Sequence, residues 1–129
     1  MTLRRVDPIR CVVVDDNAQF IASVVNLLER EGITIVGSAT NCADAVRIVD
    51  ELSPDVALVD VDLGMESGFD VAERIHQRDD SSAPQTRVIL ISADSGREFV
   101  ERLAASPAVG FIPKISLSVR SIREMLSQA

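Results

Sequence analysis

Apolar residues gather in five short runs rich in β-branched side chains. They are Cys11–Val14 (CVVV), Ile33–Gly37 (ITIVG), Asp55–Val59 (DVALV), Arg87–Ile91 (RVILI) and Val109–Ile112 (VGFI). Near-continuous runs of this kind predict strands buried on both faces, as in a parallel sheet. Their starts lie 22, 22, 32 and 22 residues apart, and the gaps carry helical spacing. Phe20, Val24, Leu27, Leu28 and Glu31 form the first stripe, with Asn17 placed as N-cap and Gly32 as stop. Asn41 caps a second helix bearing Ala45, Ile48, Val49 and Leu52, which Pro54 ends. Phe69, Val71, Ala72 and Ile75 form a third stripe, Phe99, Leu103 and Ala104 a fourth, and Ile115, Val119, Ile122 and Leu126 a fifth. A polar loop, Asp79–Gln85, accounts for the longer interval.

The order is (βα) five times, an α/β class domain occupying 1–129 with its core at 11–126. The regular interval is a rhythm of architecture and not a sequence repeat. Right-handed crossovers place helices on both faces of one doubly wound parallel five-stranded sheet. Such an open sheet carries its site outside the carboxyl ends of its strands.

Composition narrows the chemistry. Thirteen Lys+Arg against 20 Asp+Glu leave a net charge of −7, which argues against direct contact with nucleic acid. The four aromatic residues are all Phe, so flavin or base stacking is hard to arrange. A lone histidine, His76, leaves no imidazole cluster for a metal and disfavours a His-based triad. The longest uninterrupted apolar runs are four residues, too short for a membrane span or a signal peptide, so a cytoplasmic protein is expected. Cys11 and Cys42 then read as two free thiols acting as small hydrophobes.

The residues that follow each run carry the remaining information. The first strand ends in Asp15-Asp16, the third in Asp60 with Asp62 two residues on, the fourth in Ser92 followed by Asp94, and the fifth in Pro113-Lys114. Asp94 reads first as a helix cap, and Asp62 is balanced between cap and ligand. Asp15, Asp16 and Asp60 are different, because each stands at the end of a buried strand. If those strands are neighbours, each like-charge pair costs roughly 4 kcal/mol at about 4 Å and an effective dielectric near 20. Such a cluster needs a cation or raised pKa values. Oxygen-only ligands suit Mg²⁺. Three acids, a metal, a hydroxyl at Ser92 and an ammonium at Lys114 suit a phosphoryl group, with Asp60 as nucleophile.

These residues resemble the receiver domain of two-component response regulators. The resemblance spans residues 11 to about 126 and rests on VVVDD at Val12–Asp16, ALVDVDLGMESG at Ala57–Gly68, LIS at Leu90–Ser92 and GFIPK at Gly110–Lys114. It implies a flavodoxin-like strand order 2-1-3-4-5. Asp60 matches the phosphoacceptor. Asp15 and Asp16 match the acidic pair that binds Mg²⁺, joined by the backbone carbonyl of Asp62. Ser92 matches the family's hydroxyl, Lys114 its lysine and Phe111 its aromatic switch. Asp62 and Asp94 are expected to modulate loss of the phosphoryl group. The implied partners are a sensor histidine kinase or phosphotransfer protein upstream. Downstream lies a protein target or a C-terminal output domain beyond this chain. The family also allows a phosphorylation-dependent homodimer. Because the chain ends about where the fifth helix should, a stand-alone receiver is the expectation.

Two positions depart from the family pattern. Pro113 precedes Lys114, where the family commonly has Pro just after the lysine, and Gly64 stands where the loop commonly has Pro. These changes bear on loop rigidity and partner choice. Two rivals remain. One is a Mg²⁺-dependent phosphohydrolase of the haloacid dehalogenase type, whose DxD motif Asp60-Val61-Asp62 resembles. The other is a non-phosphorylated interaction module on the same fold.

Overall fold

A computed structural model describes residues 8–78, 85–95 and 97–128. Most of the expected polar loop, 79–84, lies outside the described residues. The elements are β1 (Arg10–Val14), α1 (Ala18–Arg30), β2 (Thr34–Ala39), α2 (Cys42–Leu52), β3 (Val56–Asp60), β4 (Asp62–Leu63), β5 (Glu66–Ser67), α3 (Gly68–Gln77), β6 (Arg87–Ser92), α4 (Val100–Ala105), β7 (Gly110–Pro113) and α5 (Val119–Gln128). Single 3₁₀ turns, Arg97–Phe99 and Lys114–Ser116, precede α4 and follow β7.

The main sheet is parallel, ordered β2-β1-β3-β6-β7. Counted along the chain, its five strands run second, first, third, fourth, fifth, as the resemblance implied. Side chains alternate between the two faces with period 2. Val12, Val14, Ala57, Val59, Val88 and Leu90 enter one core, which α2 and α3 close with Ala45, Val49, Val71 and Ile75. Cys11, Val13, Val56, Leu58, Ile89 and Ile91 enter the other, closed by Val24 and Leu28 of α1 and by Val119 and Ile122 of α5. Each Val, Leu or Ile buried this way contributes about 1.5–3 kcal/mol. Asn17 and Asn41 cap α1 and α2 as expected.

Four local expectations need correction. The second run is an edge strand, and Ala39 alone of β2 is buried, because no strand covers its outer side. Ile115 does not join the fifth stripe: it is 95% exposed on the 3₁₀ turn, and α5 starts only at Val119. The fourth helix is six residues long; Phe99 precedes it and Ala104 is exposed. Glu31, placed on the first stripe, is exposed as the C-cap of α1.

The antiparallel β4–β5 hairpin was not anticipated, and it shapes the ground beside Asp60. Gly64 turns it with a left-handed φ of +75°. Gly68 lies so close to the Asp60 carbonyl that a Cβ there would collide with it. The Gly68 N–H donates to the Val61 carbonyl at 2.8 Å and draws the hairpin back against β3.

Candidate functional site

The carboxyl ends of β1, β3 and β7 meet in one pocket. Asp15 extends β1 by donating its backbone N–H to the Ala39 carbonyl at 3.0 Å, and its side chain is wholly buried. Asp60 is the last residue of β3 and is 5% exposed. Val61 fixes the chain beyond it by donating its N–H to Ile91 O at 2.8 Å. Asp16 is exposed at the rim. Carboxylate oxygens of Asp15, Asp16 and Asp60 lie within 4.8 Å of one another, so the predicted acidic cluster forms.

Lys114 reaches into the cluster from the end of β7. Its Nζ is 3.1 Å from Asp60 Oδ2, to which it donates a hydrogen bond, and 2.8 Å from Asp15 Oδ2. The second contact pairs the ammonium with the buried Asp15 Oδ2, so one lysine is shared between two buried carboxylates. Burial disfavours the Lys114 ammonium, but its contacts with Asp15 and Asp60 outweigh that effect and raise its pKa above the ordinary lysine value. Burial pushes the Asp60 carboxyl up to about 6; the nearby Asp15 charge adds to the rise, while the Asp62 N–H and Lys114 oppose it.

The remaining predicted residues hold distinct places. Asp62 brings its backbone N–H, at 3.1 Å, to Asp60 Oδ1. Its own Oδ1 accepts the Gly64 N–H at 3.1 Å, so that carboxylate shapes the hairpin. Ser92 ends β6 and is 3% exposed. Its Oγ accepts the Asp94 N–H at 3.0 Å, and among the described residues no hydrogen bond joins it to Asp60. Asp94 is exposed and does not cap α4, whose preceding residue is Phe99. Phe111, opposite Leu90 on β7, is half-buried against the core that Phe99 and Leu103 also touch.

Two residues at the site escaped the sequence reading. Glu66 Oε1 accepts the Cys42 N–H at 2.8 Å and ties the hairpin to the start of α2. The Phe20 ring lies under the Lys114 ammonium, 4.0 Å from Nζ to the ring centroid. No sequence signal marked Glu66, and Phe20 was assigned to the apolar stripe of α1.

The donor set fits a divalent cation. Three carboxylates against one ammonium leave two negative charges among oxygens that lie within 4.8 Å of one another. All the side-chain donors are hard oxygens, as Mg²⁺ requires.

Fold and pocket together define an open α/β domain whose site lies at the carboxyl ends of its strands. The family model for the response regulator receiver domain matches residues 11–127, and this chain belongs to that family. Among curated proteins it is similar to the DNA-binding transcriptional activator EvgA of Escherichia coli, 31% identical over 103 residues, covering 80% of this chain and 48% of EvgA. It is also similar to the transcriptional regulatory protein PdtaR of Mycobacterium tuberculosis, 29% identical over 128 residues, covering 92% of this chain and 60% of that protein. The chain thus spans about half the length of curated relatives such as EvgA. Among solved structures, the signal receiver domain of NarL from M. tuberculosis superposes with a TM-score of 0.79 at 31% identity, over 94% of this chain and 95% of that one. The response regulator domain of CheB from Thermotoga maritima gives 0.73 at 28% identity, over 95% and 93%. Receiver domains are phosphorylation-activated signalling modules of two-component systems, not enzymes in the usual sense. Nothing in these likenesses favours a haloacid dehalogenase phosphohydrolase. Among the described residues no helix is long and apolar enough to cross a membrane.

Proposed function

We propose that Asp60 accepts a phosphoryl group from the phosphohistidine of a sensor histidine kinase or phosphotransfer protein. The observation that carries this reading is the seating of the buried Asp60 carboxylate, 3.1 Å from the Lys114 ammonium and clustered with Asp15 and Asp16. Asp15, Asp16, Asp60 and the backbone carbonyl of Asp62 would hold Mg²⁺, which supplies charge neutralisation for the phosphoryl oxygens.

An Asp60 carboxylate oxygen attacks phosphorus in line. The P–N bond to the donor imidazole breaks, its electron pair returns to the ring, and an acyl phosphate remains on Asp60. Lys114, already beside Asp60, stabilises negative charge on the transferred oxygens. Ser92 then gives up the Asp94 N–H and donates its hydroxyl to a phosphoryl oxygen. That movement opens space toward which Phe111 turns, shifting the population of two states of the β7, α4 and α5 surface. A downstream protein, a domain attached to this one or a second phosphorylated copy reads that surface. Asp62 and Asp94, at the pocket rim, govern the approach of the water that ends the signal.

Mass spectrometry after treatment with acetyl phosphate tests the reading. The expected result is a gain of one phosphoryl group that requires Mg²⁺ and disappears in Asp60→Asn. No adduct from any phosphodonor would overturn it and favour an interaction module that is never phosphorylated.

A further inference from the structure

Lys114 is the only lysine of the chain; the other twelve basic residues are arginines. Among the described residues its ammonium meets Asp15 Oδ2 at 2.8 Å, Asp60 Oδ2 at 3.1 Å and the face of Phe20 at 4.0 Å. The two carboxylates are also members of the cluster suited to a divalent cation. A cation bound there competes with the lysine for the same oxygens. It cannot compete for the ring, whose quadrupole attracts an ammonium while adding no charge and no hydrogen-bond acceptor.

The ring is held in register with the acids. The Asn17 N–H donates to Asp15 Oδ1 at 2.9 Å, and Asn17 Oδ1 accepts the Phe20 N–H at 3.1 Å. Phe20 itself packs against the core beneath α1. Asp15, Asn17, Phe20 and Lys114 therefore close a circuit in which the segment from the end of β1 to the first turn of α1 grips the lysine twice, by the charge of Asp15 and by the ring of Phe20.

We propose that Phe20 is the positioning residue for Lys114, keeping the ammonium at the pocket when its carboxylate partners are engaged by a cation or a phosphoryl group. This rests on Asp60 as phosphoacceptor only for its kinetic consequence; the placement of Lys114 can be read without it.

The single lysine makes the test direct. Selective ¹³C labelling of lysine gives one ε-methylene resonance, which the Phe20 ring current displaces upfield. In Phe20→Leu and Phe20→Met, each checked by melting temperature, the resonance should keep the position of an ion-paired lysine without Mg²⁺ and move to that of a free lysine when Mg²⁺ is added, whereas in wild type Mg²⁺ should leave it displaced. Phe20→Tyr should keep it displaced. The rate of phosphorylation by acetyl phosphate should fall about two- to thirty-fold in Phe20→Leu, the range of a cation–π contact. It should recover in Phe20→Tyr. In a Lys114→Gln background, Phe20→Leu should have no further effect. A resonance that answers Mg²⁺ alike in wild type and Phe20→Leu, or an equal rate loss in both backgrounds, would overturn the proposal. If wild-type protein accepts no phosphoryl group while Mg²⁺ still frees the lysine only in Phe20→Leu, the placement stands and the phosphoacceptor reading fails.

Discussion

Strand β3 lies between two aspartates, Asp55 just before it and Asp60 as its last residue, and the two live in opposite conditions. At the amino end, the exposed Asp55 accepts the Arg10 N–H through Oδ2 at 2.8 Å. Its neighbours are equally settled: Thr86 donates to the Pro54 carbonyl at 2.8 Å, and Arg87 donates to the Leu126 carbonyl at 2.9 Å. At the carboxyl end, Asp60 is buried beside a second buried acid, Asp15, with which it shares a single ammonium, and its carboxyl is pushed up to about 6. One end of the sheet uses polar side chains to tie off the backbone. The other gathers charge that the fold alone leaves incompletely compensated, and this is how a binding site differs from a structural one.

The largest break in this comparison is Asp60→Asn, for which complete loss of the acetyl phosphate adduct is expected by mass spectrometry. Lys114→Gln should slow phosphorylation about a hundredfold, the order of removing one group aimed at developing charge. The same change should lower metal-free stability by about 2 kcal/mol in urea denaturation, since two carboxylates lose their cation.

A pH series sharpens the contrast. The folded Asp60 carboxyl, raised from 3.8 to about 6 chiefly by burial, holds its proton more tightly than in the unfolded chain. Its contribution to stability is therefore full below pH 3.8 and is lost as pH rises through about 6. Metal-free Asp60→Asn should match wild type at low pH and exceed it in urea midpoint above pH 7. Saturating Mg²⁺ should erase that advantage by stabilising wild type, by about 2.7 kcal/mol at a hundred times the dissociation constant. The smallest effect belongs to the amino end. Asp55→Asn should leave the phosphorylation rate unchanged and cost about 1 kcal/mol in thermal unfolding, the worth of one hydrogen bond.

The central strands were legible because β1, β3 and β6 are buried on both faces, so their sequences are almost uninterruptedly apolar. The acids stood out as the first polar residues after those runs. Edge strands and short elements wrote weaker signals. β2 is mostly half-exposed, and two-residue strands such as β4 and β5 are too short to show a period. Ile115 looked like the first residue of a helical stripe, yet a 3₁₀ turn carries it into solvent. Phe20 was hidden for another reason. Its spacing in α1 is that of a core residue, and only tertiary structure, bringing the end of β7 over the first turn of α1, turns its ring into a seat for a cation.

The hairpin beyond Asp60 has a sharply uneven tolerance to change. Met65 at its tip is fully exposed, so nearly any side chain can stand there. Gly64 accepts residues only to the extent that they tolerate a left-handed backbone. Gly68 accepts none with a Cβ unless the Asp60 backbone moves. A library randomised across these positions would recover free choice at 65, a narrow set at 64 and glycine at 68. Within five residues the same loop is open to variation at its exposed tip and closed to it where it braces the backbone of Asp60.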